Sequence, residues 1–257
     1  YLYANSLKKE LAAFNKNIPD NFIGYAPVFS DSRISPKNLD LTSLAVQAAD
    51  TNSTYRSISP DGKKFNELKY SEWEVKSILN LYARSSDKLS DIGYFHSDAT
   101  EESFKKNAKN YKIIHIASHS FINESHPDLS AIVFAQPQDS AASEDGILYA
   151  AETYNLDLKA DLVVLSSCES GLGKLIKGEG MMALTRGFLY AGASNIIFSL
   201  WKIPDKQTSE LMIDFYKNIL SGEDYSRALR DARLTLIKNN SLARPRSWAS
   251  FVLIGAD

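Results

Sequence analysis

The stretch LVVLSSCESGLG, residues 162 to 173, constrains the fold more than any other. An apolar run stops at Ser166 and Ser167, the chain's only cysteine, Cys168, follows, and a glycine-containing loop comes next. Short apolar runs bounded by turn signals read as strands buried on both faces, as in parallel sheets. Cys168 then falls just past the carboxyl end of such a strand, the edge at which open α/β sheets bind ligands and place chemistry. A second run, KIIHIASHS over residues 112 to 120, ends in His119. Neighbouring strands lie about 5 Å apart, so two adjacent strand ends would bring an imidazole and a thiol face to face. Those types suit nucleophilic catalysis: the thiolate is the reactive form, and an imidazole can take the thiol proton or protonate a departing amine. Free cysteine is also among the most buried residue types, so placement alone leaves an inert core cysteine open.

The remaining pattern surrounds these two strands with others. Residues 3 to 14 have helical spacing, Phe22 to Phe29 reads as a strand, and residues 30 to 69 are rich in Ser, Asp, Asn, Pro and Lys without a sustained period. An irregular stretch of that length is usually functional or disordered. Ser71 with Glu74 forms a capping-box pattern that opens a helix over 71 to 83, and Asp98 with Glu101 opens another that ends near Asn107. Between them Ile92 to Phe95 is a short strand. SAIVFA (130 to 135) and GILY (146 to 149) flank the polar tract Gln136 to Asp145 and predict a hairpin or flap beside the upper edge. Beyond the strand at 161 to 167, helices are expected at 179 to 191, 204 to 220 and 224 to 238, and strands at Asn195 to Trp201 and Phe251 to Ile254. Strands alternating with helices predict a doubly wound, mostly parallel α/β sheet of about six strands with helices on both faces. No linker divides the 257 residues, which predict one domain over 1–257.

Composition narrows the function. A net charge of -2 and no basic stripe with interleaved aromatics exclude a nucleic-acid partner held by bulk electrostatics. No apolar run approaches the roughly 18 residues of a membrane span, and no signal-peptide pattern opens the chain. A cytoplasmic protein without membrane contact is therefore expected, and a single cysteine fits a reducing compartment. The chain begins with Tyr1 rather than methionine, which suggests an excised domain with further modules.

Competing motifs fail on spacing. A phosphate loop needs a glycine five residues before its Gly-Lys pair, where Cys168 stands, and Ser or Thr after it, where Leu175 stands. The dinucleotide fingerprint fails because Ile176 occupies its third small position after Gly171 and Gly173. His115 and His119 would chelate a metal on a helix but lie about 13 Å apart on a strand at roughly 3.3 Å per residue. His115 then reads as a hydrogen-bonded core histidine, and His96 and His126 as loop residues. No cofactor and no metal are expected.

The order of several separate motifs carries a further reading. KIIHIASHS, DLSAIVFA, DGILYAAETYNLDLKADLVVLSSCESGLG, GEGMMALTRGFLYAGASNIIFSLWKIPD, LMIDFYKNILSG, ALRDARL and SWASFVLIGA together resemble the CHAT family, a branch of the caspase-like cysteine peptidases that also include separases and gingipains. The resemblance covers about residues 70 to 257, and the separation of His119 from Cys168 is close to the roughly 50 residues typical of caspases. It implies a caspase-like fold with Cys168 as nucleophile, His119 as its acid–base partner, and an oxyanion hole made of the backbone N–H groups of Cys168 and Ser120. Relatives usually have glycine where Ser120 stands, and a left-handed backbone there would cost serine roughly 1 to 2 kcal/mol.

The resemblance also assigns substrate contacts to Ser199, Leu200 and Trp201, beside which an extended peptide could pair, with Trp201 either walling a pocket or packing into the core. Asp205, Glu169, Asp128 or Glu152 could supply a carboxylate favouring Arg or Lys before the cut. The function expected is a cysteine endopeptidase acting on a protein or peptide substrate through an acyl-enzyme. Its expected setting is a bacterial signalling or defence system, beside a helical-repeat, sensor or activating partner. The alternatives are a catalytically silent caspase-like interaction module, or a hydrolase or acyltransferase using the same pair on a small thioester or amide.

Overall fold

A computed structural model describes residues 21–29, 65–85, 91–137, 142–166, 168–169, 179–201, 203–238 and 244–255; at Cys168, Glu169 and Glu179 it describes the backbone alone. The helix expected over 3 to 14, most of the irregular stretch from 30 to 69 and the glycine loop after Glu169 lie outside these residues.

Four buried strands and two half-buried edge strands form a six-stranded sheet. In chain order its strands are β1 (Phe22–Ala26), β2 (Ile92–Phe95), β3 (Ile113–Ile116), β7 (Leu162–Leu165), β9 (Asn195–Ser199) and β10 (Phe251–Gly255). Their spatial order is β10-β9-β7-β3-β1-β2, parallel throughout except where β10 meets β9. The inner strands are buried at every position, as strands covered on both faces must be.

Alternate side chains sort into two cores, because successive residues of a strand point to opposite faces. Ile114, Ile116, Val163, Leu165 and Phe198 pack with Phe104 of α2 (Glu101–Asn107) and with Leu184 and Phe188 of α4 (Glu179–Tyr190). Ile113, Leu162, Val164 and Ile197 pack on the other face. They meet α1 (Ser71–Ser85), α5 (Asp205–Leu220) and α6 (Tyr225–Lys238) through Ile78, Leu211, Phe215 and Leu229. Each such side chain contributes about 1.5–3 kcal/mol on burial. Two short helices, α3 (Ala150–Thr153) and α7 (Pro245–Trp248), complete the described α-helices.

The run that ends in His119 is not one strand. It divides after Ile116, and β4 (His119–Phe121) joins a second sheet whose order is β6-β5-β4-β8. The expected hairpin supplies β5 (Ala131–Val133) and β6 (Ile147–Tyr149), and β8 (Cys168–Glu169) lies parallel to β4. The physical reason for the division is the hairpin: Ser120 pairs with Ile132, and the Ser118 hydroxyl donates to the Val133 carbonyl. The chain is thereby drawn off the main sheet.

Both helix starts predicted from capping patterns lie within about two residues of the observed ones, but the caps differ. Ser71 is the first residue of α1, and its hydroxyl donates to Leu68 O at 2.9 Å. Glu74 is instead buried and bonds to His115 of the sheet and Ser209 of the neighbouring α5. At α2 the N-cap is Thr100, which accepts from Ser103 N at 3.1 Å, while Glu101 accepts from Gly146 N at 3.0 Å. Tertiary hydrogen bonds take both carboxylates away from local capping.

Candidate active site

Two chain segments run in step to one edge. Leu162 opposes Ile113 and Cys168 opposes His119, 49 positions apart in each case, so the ladder of β3 and β7 resumes in the same register between β4 and β8. Ser166 N donates to Ile116 O at 2.9 Å across the gap between them. Adjacent strands stand about 4.8 Å apart, so His119 and Cys168 are immediate backbone neighbours just beyond the carboxyl end of the main sheet.

The His119 ring is enclosed: the residue is 5% exposed, and its centroid lies 5.0 Å from that of Phe65, at 20° between planes, and 4.9 Å from that of Phe29. Phe29 and Phe65 also touch each other at 5.6 Å. Nε2 of His119 is 2.6 Å from the carbonyl oxygen of Asn66. A carbonyl oxygen only accepts, so Nε2 carries the hydrogen and donates. Sequence reasoning missed Phe65 and Asn66, which sit at the end of the irregular stretch, where no period or motif marks them.

The backbone carrying Phe29 is strained. Val28 and Phe29 have φ of 62° and 60°, and Phe29 N donates to Pro27 O at 2.7 Å, closing a γ-turn about Val28. Left-handed conformations at non-glycine residues cost about 1–3 kcal/mol each and persist where surrounding contacts over-determine them. One such contact is the bond from Leu68 N to Val28 O at 2.8 Å.

Ser120 lies within β4, buried, between Ile132 on one side and Glu169 on the other. The described non-glycine residues with positive φ are Val28, Phe29 and His96. Ser120 is not among them, and the conformational cost of replacing glycine does not arise.

The residues named for substrate contact are dispersed. Ser199 is the buried last residue of β9, and Leu200, 45% exposed, donates its N–H to Ser250 O at 2.8 Å. Trp201 is half-buried against the α1/α5/α6 core, and its Nε1 donates to Arg246 O at 2.9 Å. Asp205 opens α5 and accepts from Tyr70 N at 2.7 Å. Burial pushes its carboxyl up to about 6 against that hydrogen bond, with Glu74 and Glu67 adding to the rise. Asp128 is exposed in a turn, and Glu152 accepts from Tyr149 N and Lys105, each at 2.9 Å.

His115 is a core histidine. It is fully buried, with Nε2 2.8 Å from Glu74 Oε1 and Nδ1 3.1 Å from the Tyr216 hydroxyl. Among the described residues one acidic group could hold a cation, Glu101, Glu144 and Glu152, whose oxygens lie within 4.8 Å of one another. The Lys105 ammonium already meets them at 2.7, 2.7 and 2.9 Å. Among the described residues no helix is long and apolar enough to cross a membrane.

Residues 23–256 match the family model of the CHAT domain. The chain belongs to the CHAT domain family. The match reaches back to β1, well before the motifs that carried the resemblance. The CHAT fold seen here is similar to the crystal structure of the Arg specific cysteine proteinase gingipain R, with a TM-score of 0.55 at 8% identity over 96% of this chain and 50% of that one. A separase–securin complex from Saccharomyces cerevisiae aligns with a TM-score of 0.48 at 13% identity, over 96% of this chain and 13% of that one. The likeness to gingipain R agrees with the mixed, mostly parallel α/β fold expected from the sequence. Among curated proteins the chain is similar to tetratricopeptide repeat protein 28 of Homo sapiens, at 35% identity over 119 residues, and of Mus musculus, at 36% over 111. These alignments take in 46% and 43% of this CHAT chain but only 5% and 4% of the two relatives' length.

Proposed function

We propose that this CHAT domain is a cysteine endopeptidase in which Cys168 and His119 form the catalytic dyad. The observation that supports this best is the shared register that sets the two residues opposite each other on parallel strands at the sheet's carboxyl edge. In this reading the Cys168 thiol passes its proton to His119 as sulfur attacks the peptide carbonyl. The carbonyl oxygen becomes an oxyanion facing the N–H groups of Cys168 and Ser120. The adduct collapses, the C–N bond breaks, and the imidazolium returns the proton to the departing amine. Water then attacks the thioester, His119 taking one proton and returning it to sulfur as the carboxylic acid leaves.

The whole described chain acts as one domain in this proposal, with the 199–201 segment and Asp205 on the substrate side. The names of the curated relatives support a helical-repeat module as its partner. A bacterial signalling or defence setting rests on the family resemblance, while those relatives are mammalian.

Incubation with a pool of fluorogenic peptides under reducing conditions tests the reading. Wild type should cleave, Cys168→Ala should not, and His119→Ala should be slower by about 10²–10⁴-fold. The enclosure of His119 favours one rival, a silent interaction module. Absence of cleavage together with a Cys168 thiol no more reactive than free cysteine would establish that rival.

A further inference from the structure

We propose that Phe29 and Phe65 are positioning residues that hold the His119 imidazole in the single orientation in which it serves Cys168. The inference rests on the peptidase reading above and deepens it. A histidine on a strand has several χ1 wells and a broad, roughly two-fold χ2, so its two nitrogens can exchange places by a ring flip. Three contacts oppose that freedom here. Phe65 lies nearly parallel to the imidazole at 5.0 Å, Phe29 leans on it at 4.9 Å, and the carbonyl of Asn66, the residue next to Phe65, holds Nε2 at 2.6 Å. With Nε2 carrying the hydrogen that meets the carbonyl, the lone pair of the neutral ring is on Nδ1.

The backbone argues that the contact is built in. Phe29 and Phe65 both belong to the connection between β1 and α1, so residues near its start and near its end press on one ring. Phe29 reaches it only through left-handed conformations at Val28 and at itself. A β-branched residue such as valine is unsuited to that region, and the turn is retained with the Leu68 N–H locked onto Val28 O. Phe65 is 8% exposed and shields the ring from water. Asn66 contributes its backbone, so its side chain is dispensable in this arrangement.

The test uses the chain's single cysteine, which makes alkylation by iodoacetamide specific to Cys168. At neutral pH the wild-type thiol should react faster than N-acetylcysteine, and His119→Ala should remove that advantage. Phe65→Leu and Phe29→Leu keep apolar bulk and should slow alkylation by about 10- to 100-fold. Phe65→Tyr should stay within about twofold of wild type, and Asn66→Ala should be silent. In a His119→Ala background Phe65→Leu should have no further effect, which a general loosening of the fold would not reproduce. Phe65→Met serves if the leucine variant fails to fold.

Wild-type rates in both leucine variants would overturn the proposal and leave the dyad standing. The positioning role falls equally, with the dyad intact, if Phe65→Leu slows the reaction to the same extent without His119. A wild-type rate that ignores His119→Ala would instead remove the dyad, and the positioning role with it.

Discussion

Asp205 carries a carboxyl group that burial holds near 6, above its ordinary value of 3.8, and this ties stability to pH in a definite direction. Below 3.8 the folded and unfolded chains are both protonated at this residue. Between 3.8 and about 6 the folded chain keeps a proton that the unfolded chain has released, so stability falls as pH rises through that window and is level above it. The difference corresponds to at most about 3 kcal/mol. Asp205→Asn keeps an acceptor for Tyr70 N–H, and urea unfolding should show it more stable than wild type at pH 8 by about 1–3 kcal/mol, with the gap closing by pH 4. The sequence offered this residue as a carboxylate for a basic side chain. Its neighbours Tyr70, Glu74 and Glu67 come from a segment more than a hundred positions away, which no local pattern could supply.

Among the elements, the seat of α3 on α4 depends on the absence of one side chain. A Cβ at Gly187 would lie 1.7 Å from Thr153 Oγ1, and that hydroxyl is itself fixed by donation to Ala150 O at 2.7 Å. Gly187→Ala must push the helices apart and should cost about 1–3 kcal/mol in thermal or urea unfolding. The elements themselves were legible, because buried strands such as LVVL and amphipathic helices such as 225–238 carry their environment in their apolar spacing. What was not legible is the break between β3 and β4. It follows from pairing with a hairpin that begins ten residues further on, and a continuous apolar run gives no sign of which sheet its last residues join. Capping patterns likewise located helix starts while misassigning the bonds at Glu74 and Glu101.

In the molecule as a whole, a buried polar chain fastens the sheet to one helical layer. His115 on β3 meets Glu74 on α1, which accepts from Ser209 on α5 at 2.9 Å, and Tyr216 on α5 closes the circuit. Burial pushes the Tyr216 hydroxyl well above its usual range, so it stays neutral. Glu74→Ala would strand the buried His115, while Ser209 keeps the carbonyl of Asp205 at 3.0 Å, and should destabilise by about 3–5 kcal/mol in urea unfolding, against about 1 kcal/mol for Tyr216→Phe. Of the candidate site, the two strand ends were readable because apolar runs point to them. The aromatic enclosure of His119 was not, since Phe29 and Phe65 are 36 positions apart and no period or motif links either of them to His119. The handover of β3 to β4 and of β7 to β8 has a mechanical corollary. Because both strands leave the main sheet together and in register, a tilt of the smaller sheet displaces His119 and Cys168 as a common mode, altering what they confront while preserving the interval between them.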